Sequence, residues 1–154
     1  MSTREELSSS APVADDGLWE MFERVKAASR ALTAGCATPY KELWSHQGDT
    51  ASFGAWGDYE VGWDEVGPRL DWAAAQFLEG ELKHELLAMG ASGDLAYTIT
   101  IERGTGRLLG HVEPAPIALR VTRLYRREGG EWKVIHRHAD PIIGKTETAA
   151  VLQR

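Results

Sequence analysis

The chain has 154 residues, enough for one domain with a core of its own. Hydrophobic residues make up 43% and charged residues 26%, and the net charge of −6 gives none of the basic field that phosphate contacts require, so no nucleic-acid partner is expected. The one cysteine, Cys36, has no partner within the chain; this fits a reducing compartment, and a small buried hydrophobe better than a nucleophile.

Residues 1–13 are rich in Ser and charge and lack an apolar leader core, so they read as a disordered tail. No apolar run approaches the ~18 residues needed to span a bilayer. The expectation is a cytoplasmic protein without a membrane partner, with one domain over residues 14–142 and a C-terminal tail over 143–154.

Leu18, Phe22, Val25, Ser29 and Leu32 form one stripe at helical spacing, with Asp15 or Asp16 to cap its start and Gly35 to end it. A short second helix follows, with Thr38 as cap, Pro39 at the first helical position, and Tyr40, Leu43 and Trp44 on its apolar side. Residues 50–56 read as a strand and 59–61 as its return across a Gly57-Asp58 turn. A third helix is expected over 63–78, kinked at Pro68. After Gly80 the period changes from helical to two, which predicts strands over 83–91, 95–103, 117–128 and 131–140, with residues 105–116 as a long turn or irregular edge. Three helices followed by an antiparallel sheet make an α+β domain with helices on one sheet face.

Two turns fix a register. With Gly129-Gly130 as a two-residue turn, Arg127 opposes Trp132, Tyr125 opposes Val134, Arg123 opposes His136, Val121 opposes His138 and Leu119 opposes Asp140. Arg123, His136, His138 and Asp140 then share the apolar inner face. Arg120, Arg126, Lys133 and Arg137 face outward with Leu124 and Ile135, and apolar residues on an outward face predict a partner, a homodimer. With Ser92-Gly93 as the other turn, Ala88 opposes Tyr97, Leu86 opposes Ile99 and His84 opposes Ile101. A slip of one residue in either turn inverts these assignments.

On this map the polar groups on an apolar face need partners or a cavity. His138 faces Val121 and is steered by Asp140, two residues away; it is the candidate proton carrier, with His136 supporting it. Each histidine also has a structural reading, as a strand side chain hydrogen-bonded to a neighbour, and Asp140 can instead cap the strand end before Pro141. His-x-His is a metal spacing as well, but a third ligand could come only from Asp140 or His84, and no metal is expected. Arg123 would fix an anionic group, a carboxylate or enolate, unless strand twist carries it to the surface. Six tryptophans is a generous number, and four fall between positions 44 and 72. Tyr40, Trp44, Trp56 and Trp63 are candidate ligand contacts, with Tyr97 and Val121 on the sheet; each serves equally well as core.

Four segments carry a resemblance: Ala31-Leu32-Thr33-Ala34-Gly35, Tyr40 to Trp44, Gly62-Trp63-Asp64-Glu65-Val66, and above all RVTRLYRREGGEWKVIHRH at residues 120–138. Together with the element order they make residues 14–142 resemble the nuclear transport factor 2-like superfamily, in its SnoaL-like and calcium/calmodulin-dependent kinase II association-domain-like branch. The resemblance implies a cone-shaped, cystatin-like α+β fold with the tryptophan-rich stretch at the cone's mouth and wall. It also implies dimerisation through the outer sheet face, and a cavity arginine aligned with Arg123. The expected function is that of a cofactor-free isomerase, cyclase or dehydratase acting by proton transfer on a ring-bearing carbonyl metabolite, with a small apolar or aromatic, acidic ligand. The alternative is a non-catalytic ligand-binding or dimeric assembly domain, since the superfamily hosts both. Ketosteroid-isomerase chemistry by the residues those enzymes use is not expected: Ala28 stands where they carry an oxyanion tyrosine, and the first strand, Ser52-Phe53-Gly54, offers no general-base carboxylate.

Overall fold

The computed structural model describes residues 16–153, so the tail expected over residues 1–13 and the possible cap Asp15 lie outside the described residues. Helix α1 (Asp16–Thr33) buries the stripe its spacing marks, Leu18, Phe22, Val25 and Ser29, and adds Met21 and Ala28. It ends at Gly35 (φ 96°), where the Gly35 N–H donates to Leu32 O and the Cys36 N–H to Ala31 O, satisfying carbonyls the helix leaves open. Cys36 itself is exposed, contrary to the buried position expected.

Helix α2 (Thr38–Leu43) follows, with Pro39 in its first turn and no side-chain cap. The arm β1 (Ala51–Phe53) and β2 (Glu60–Val61) is shorter than expected, and α3 (Trp63–Ala75) runs through Pro68. The long strands are β3 (Phe77–Ser92), β4 (Leu95–Leu108), β5 (Ala115–Glu128) and β6 (Glu131–Pro141). The stretch expected as a long turn is largely strand, since β4 and β5 pair as far as Gly106 opposite Ala115. Beyond β6 the chain is mostly exposed, with a 3-10 turn at Thr148–Val151. Among the described residues no helix is long and apolar enough to cross a membrane.

The sheet has the order β2-β1-β6-β5-β4-β3, antiparallel except that β1 lies parallel to β6. The core forms where α1 and α2 meet its inner face, with Leu18, Val25 and Trp44 packed among Leu86, Met89, Tyr125 and Val134. One polar clamp outside the core ties the entrance of the β1 arm to β5: Arg126 donates to Asp49 at 2.6 Å and to Glu128 at 2.8 Å, and Glu128 accepts from Ser45 at 2.7 Å.

Two bulges correct the register map. At the β5–β6 hairpin the Gly129-Gly130 turn is as expected, both residues taking positive φ (57° and 83°), and Tyr125 opposes Val134. The next pair is Leu124 with His136. Ile135 is an extra residue, so Ile135 and His136 both stand opposite Leu124 instead of alternating between faces. From there the map is inverted. Arg123 opposes Arg137 and Val121 opposes Ala139 on the inner face, while Thr122 opposes His138 and Arg120 opposes Asp140 on the outer one.

At the other hairpin the turn falls one residue later, on Gly93-Asp94, and a bulge between Leu86 and Ala88 inverts the face again. Leu86 therefore opposes Thr100, and His84 opposes Glu102. Bulges bend a strand and increase its twist. These two curl the sheet around the helices and open a cavity beyond the core.

Candidate functional site

The inner face of β4 is its polar side. Thr98, Thr100 and Glu102 are buried, whereas Ile99, from the more apolar alternate set, is 38% exposed. Glu102 and Arg123, on neighbouring strands, each have side chains 1% exposed. Arg123 Nη1 donates to Glu102 Oε2 at 2.8 Å, and its Nε and Nη2 donate to Tyr40 Oη at 3.0 and 2.8 Å. Glu102 Oε2 also accepts from Thr100 Oγ1 at 3.1 Å. Burial pushes the Glu102 carboxyl up, but Arg123, Arg137 and His84 outweigh it and hold it at about 2. Burial likewise works against the Arg123 charge, and Glu102 reverses the balance so that its pKa is raised.

His84 lies beside this pair, Nε2 3.5 Å from Glu102 Oε2, without a hydrogen bond. Burial drives it down to about 4 against the pull of Glu102, so it is neutral at pH 7. Arg137 approaches from β6 with Nη2 4.0 Å from Glu102 Oε1, too far for a hydrogen bond. Its Nε is buried and has no hydrogen-bond acceptor.

This cluster closes one part of a cavity of about 530 Å³ between helices and sheet. Ser29 and Thr33 of α1 and Tyr40 of α2 face it from one side; Leu82, Leu108, Ile117 and Leu119 supply apolar wall. The β1–β2 arm adds Ser52, Trp56 and Glu60, α3 adds Arg69, and Ile142 and Ile143 reach it from beyond β6. Trp56, 47% exposed, meets Trp72 edge-on at 5.2 Å, and the Arg69 guanidinium lies over Trp72 at 3.7 Å. Aromatic rings thus frame one side of the cavity.

Of the residues singled out from the sequence, Tyr40, Trp56 and Arg123 line the cavity. Val121 is on the inner face but buried in the sheet without reaching the cavity lining, and Trp44 belongs to the core. Trp63 is stacked on His46 at 3.9 Å, and Tyr97 lies opposite Leu124 on the outer face. His136, His138 and Asp140 are also outside. His136 Nδ1 bonds Ala51 O at 2.8 Å, His138 Nε2 is 3.3 Å from Asp140 Oδ1, and Asp140 accepts from Arg120 at 2.8 Å. The Phe53 ring meets both histidines edge-on, at 4.8 and 5.3 Å. The pairing of His138 with Asp140 is as expected; its side of the sheet is not.

The sequence reading missed Glu102, Arg137, Glu60 and Arg69. One available signal was the polar alternate set Thr98, Thr100, Glu102. A strand whose polar side is inward needs an outward apolar side, and residues 97, 99 and 101 supply it.

No protein-family model and no functionally curated protein matches the sequence. Solved structures do match. A nuclear transport factor 2-like superfamily protein from Salmonella enterica is 16% identical with a TM-score of 0.73, covering 88% of this chain and 94% of its own. A ketosteroid isomerase-like protein from Erwinia carotovora is also 16% identical, with a TM-score of 0.71 over 85% of this chain and 100% of that one. A candidate calcium/calmodulin-dependent protein kinase type II association domain from Thiobacillus denitrificans is 20% identical, with a TM-score of 0.64 over 79% and 91%. The chain has the α+β cone fold of the nuclear transport factor 2-like superfamily.

Proposed function

We propose that the protein binds a small, largely apolar or aromatic carboxylic acid in the cone cavity and acts on it by cofactor-free proton transfer, as an isomerase, cyclase or dehydratase. The observation that carries the reading is Arg137: a guanidinium at an apolar cavity whose buried Nε has no acceptor. A buried donor left unpaired costs about 1–3 kcal/mol, and a ligand carboxylate would recover it as a charge-assisted bond. Arg123, the cation first expected to read the ligand, is occupied by Glu102 and Tyr40. The Erwinia protein's description as ketosteroid isomerase-like supports the class of chemistry.

The test is a titration with small aromatic acids and their amides. The acids should bind more tightly by roughly 1.5–3 kcal/mol, and Arg137→Gln should erase the difference. Equal affinities in the parent protein would remove the anion site.

A second reading concerns assembly. Leu95, Ile99, Leu124 and Phe53 are exposed on the outer sheet face, which suits cover by a second copy. Arg137, expected on that face, is instead at the cavity. The proposed homodimer is checked by light scattering; a monomer at micromolar concentration would refute it.

A further inference from the structure

Glu60 is a carboxylate at the cavity that the anion-site reading leaves unused. It pairs with Ser52 across β1–β2, Ser52 pairs with Arg137 across β1–β6, and Arg137 pairs with Arg123 across β5–β6. Opposed residues share a face, and all four line the cavity. They form one row across four strands: carboxylate, hydroxyl, open guanidinium, occupied guanidinium. At a strand spacing of about 4.8 Å, Glu60 and Arg137 are rooted roughly 10 Å apart.

The two cavity carboxylates differ in kind. Glu102 is tied by Arg123 and Thr100 and is therefore locked as an anion. Glu60, its side chain 16% exposed, has Arg69 Nε at 4.0 Å, beyond hydrogen-bond reach, and that guanidinium is stacked on Trp72. Burial raises the Glu60 pKa; Arg69 opposes this, and Asp58 and Glu65 reinforce it. A carboxylate shifted upward and loosely held is suited to taking and returning a proton.

We propose that Glu60 carries the proton in this cavity, on a cyclic keto acid whose carboxylate is held by Arg137 and whose ketone oxygen reaches the Ser52 hydroxyl. The proposal rests on the anion-site reading. Glu60 takes a proton from a carbon next to the ketone. The C–H electron pair moves into the carbonyl, giving an enolate whose oxygen accepts from Ser52. The proton then returns from Glu60 to the same carbon or, where the ring carries a double bond one carbon beyond it, to the far end of the dienolate so formed, with no net redox change.

The experiment uses 3-oxocyclohexane-1-carboxylate in D2O, followed by proton NMR for deuterium uptake at the carbons flanking the ketone, with binding measured separately by calorimetry. The parent protein should accelerate exchange saturably, with a rate that rises with pH through an inflection displaced upward from that of an ordinary glutamate. Glu60→Gln should slow exchange by about 10²-fold or more while probe affinity stays within about threefold. Arg137→Gln should instead weaken binding. Probe that binds the parent without accelerated exchange, exchange unchanged in Glu60→Gln, or a parent pH profile lacking the inflection would each overturn the role of Glu60 and leave the anion site standing. Probe that does not bind the parent would overturn both.

Discussion

The two faces of β6 carry the same kinds of residue to opposite ends. Outside, His136, His138 and Asp140 meet solvent, Phe53, Arg120 and a backbone carbonyl. Inside, Arg137 meets Glu102 and the cavity. Which set is inside is decided by one extra residue, Ile135, and not by the character of the side chains. The ion pairs of Asp140 with Arg120 and His138 are exposed contacts worth little each. Glu102 and its partner Arg123 are buried, where removing either one leaves a charge that water cannot solvate.

The contrast is most sharply broken at Glu102. Glu102→Leu should lower unfolding stability in urea by about 3–5 kcal/mol, because Arg123 is left charged and buried. Adding Arg123→Met should recover part of the loss; a double variant less stable than the single one would show that the pair is not acting as a unit.

Acid comes next. His84 is held below its ordinary value in the folded state, so the unfolded chain binds more protons and stability falls as pH drops from about 6.5 toward 4. Glu102, also depressed, adds a loss from about 4.5 toward 2. The histidine limb should amount to roughly 3 kcal/mol. Urea midpoints across pH should show it, and His84→Phe should flatten the upper limb alone.

Arg137→Met should leave stability within about 1 kcal/mol of the parent, or raise it, because it removes an unpaired buried donor. A loss of several kcal/mol in thermal unfolding would make Arg137 a structural cation. The smallest effect belongs outside: His138→Gln should change stability by less than about 0.5 kcal/mol and leave acid binding untouched.

The element order, the α1 stripe and the Gly129-Gly130 turn were legible because each is set locally, by side-chain period or by residues that accept positive φ. Arg123 was placed on the inner face because the extra residue lies on β6, so the alternation of β5 from Tyr125 to Arg123 is unbroken; Tyr40 and Trp56 were candidates because large aromatic side chains cluster in that part of the chain. The bulges at Leu87 and Ile135 have no local signal of that kind. Neither position is Gly, and both fit an unbroken period of two. His136, His138 and Asp140 therefore went to the wrong face, although their mutual spacing was read correctly. Glu60 and Arg69 were hidden differently. They reach the site through β1 lying parallel to β6, a contact between segments distant in sequence that no short-range pattern encodes.

That parallel contact also has a consequence in time. β1 is three residues long, β2 is two, and β1 reaches the main sheet through three pairings with β6 and a hydrogen bond between His136 and Ala51, 85 positions away. Contacts closing so large a loop tend to form late in folding, and small edge units open at lower free energy than the core strands. The arm bearing Ser52 and Glu60 is thus the part of the cavity wall expected to open at the lowest free energy. A guest that spans Arg137 and the arm would bolt that wall shut by mass action and slow its own escape. Residence time would then be governed by the sheet's weakest seam and not by the strength of any single contact.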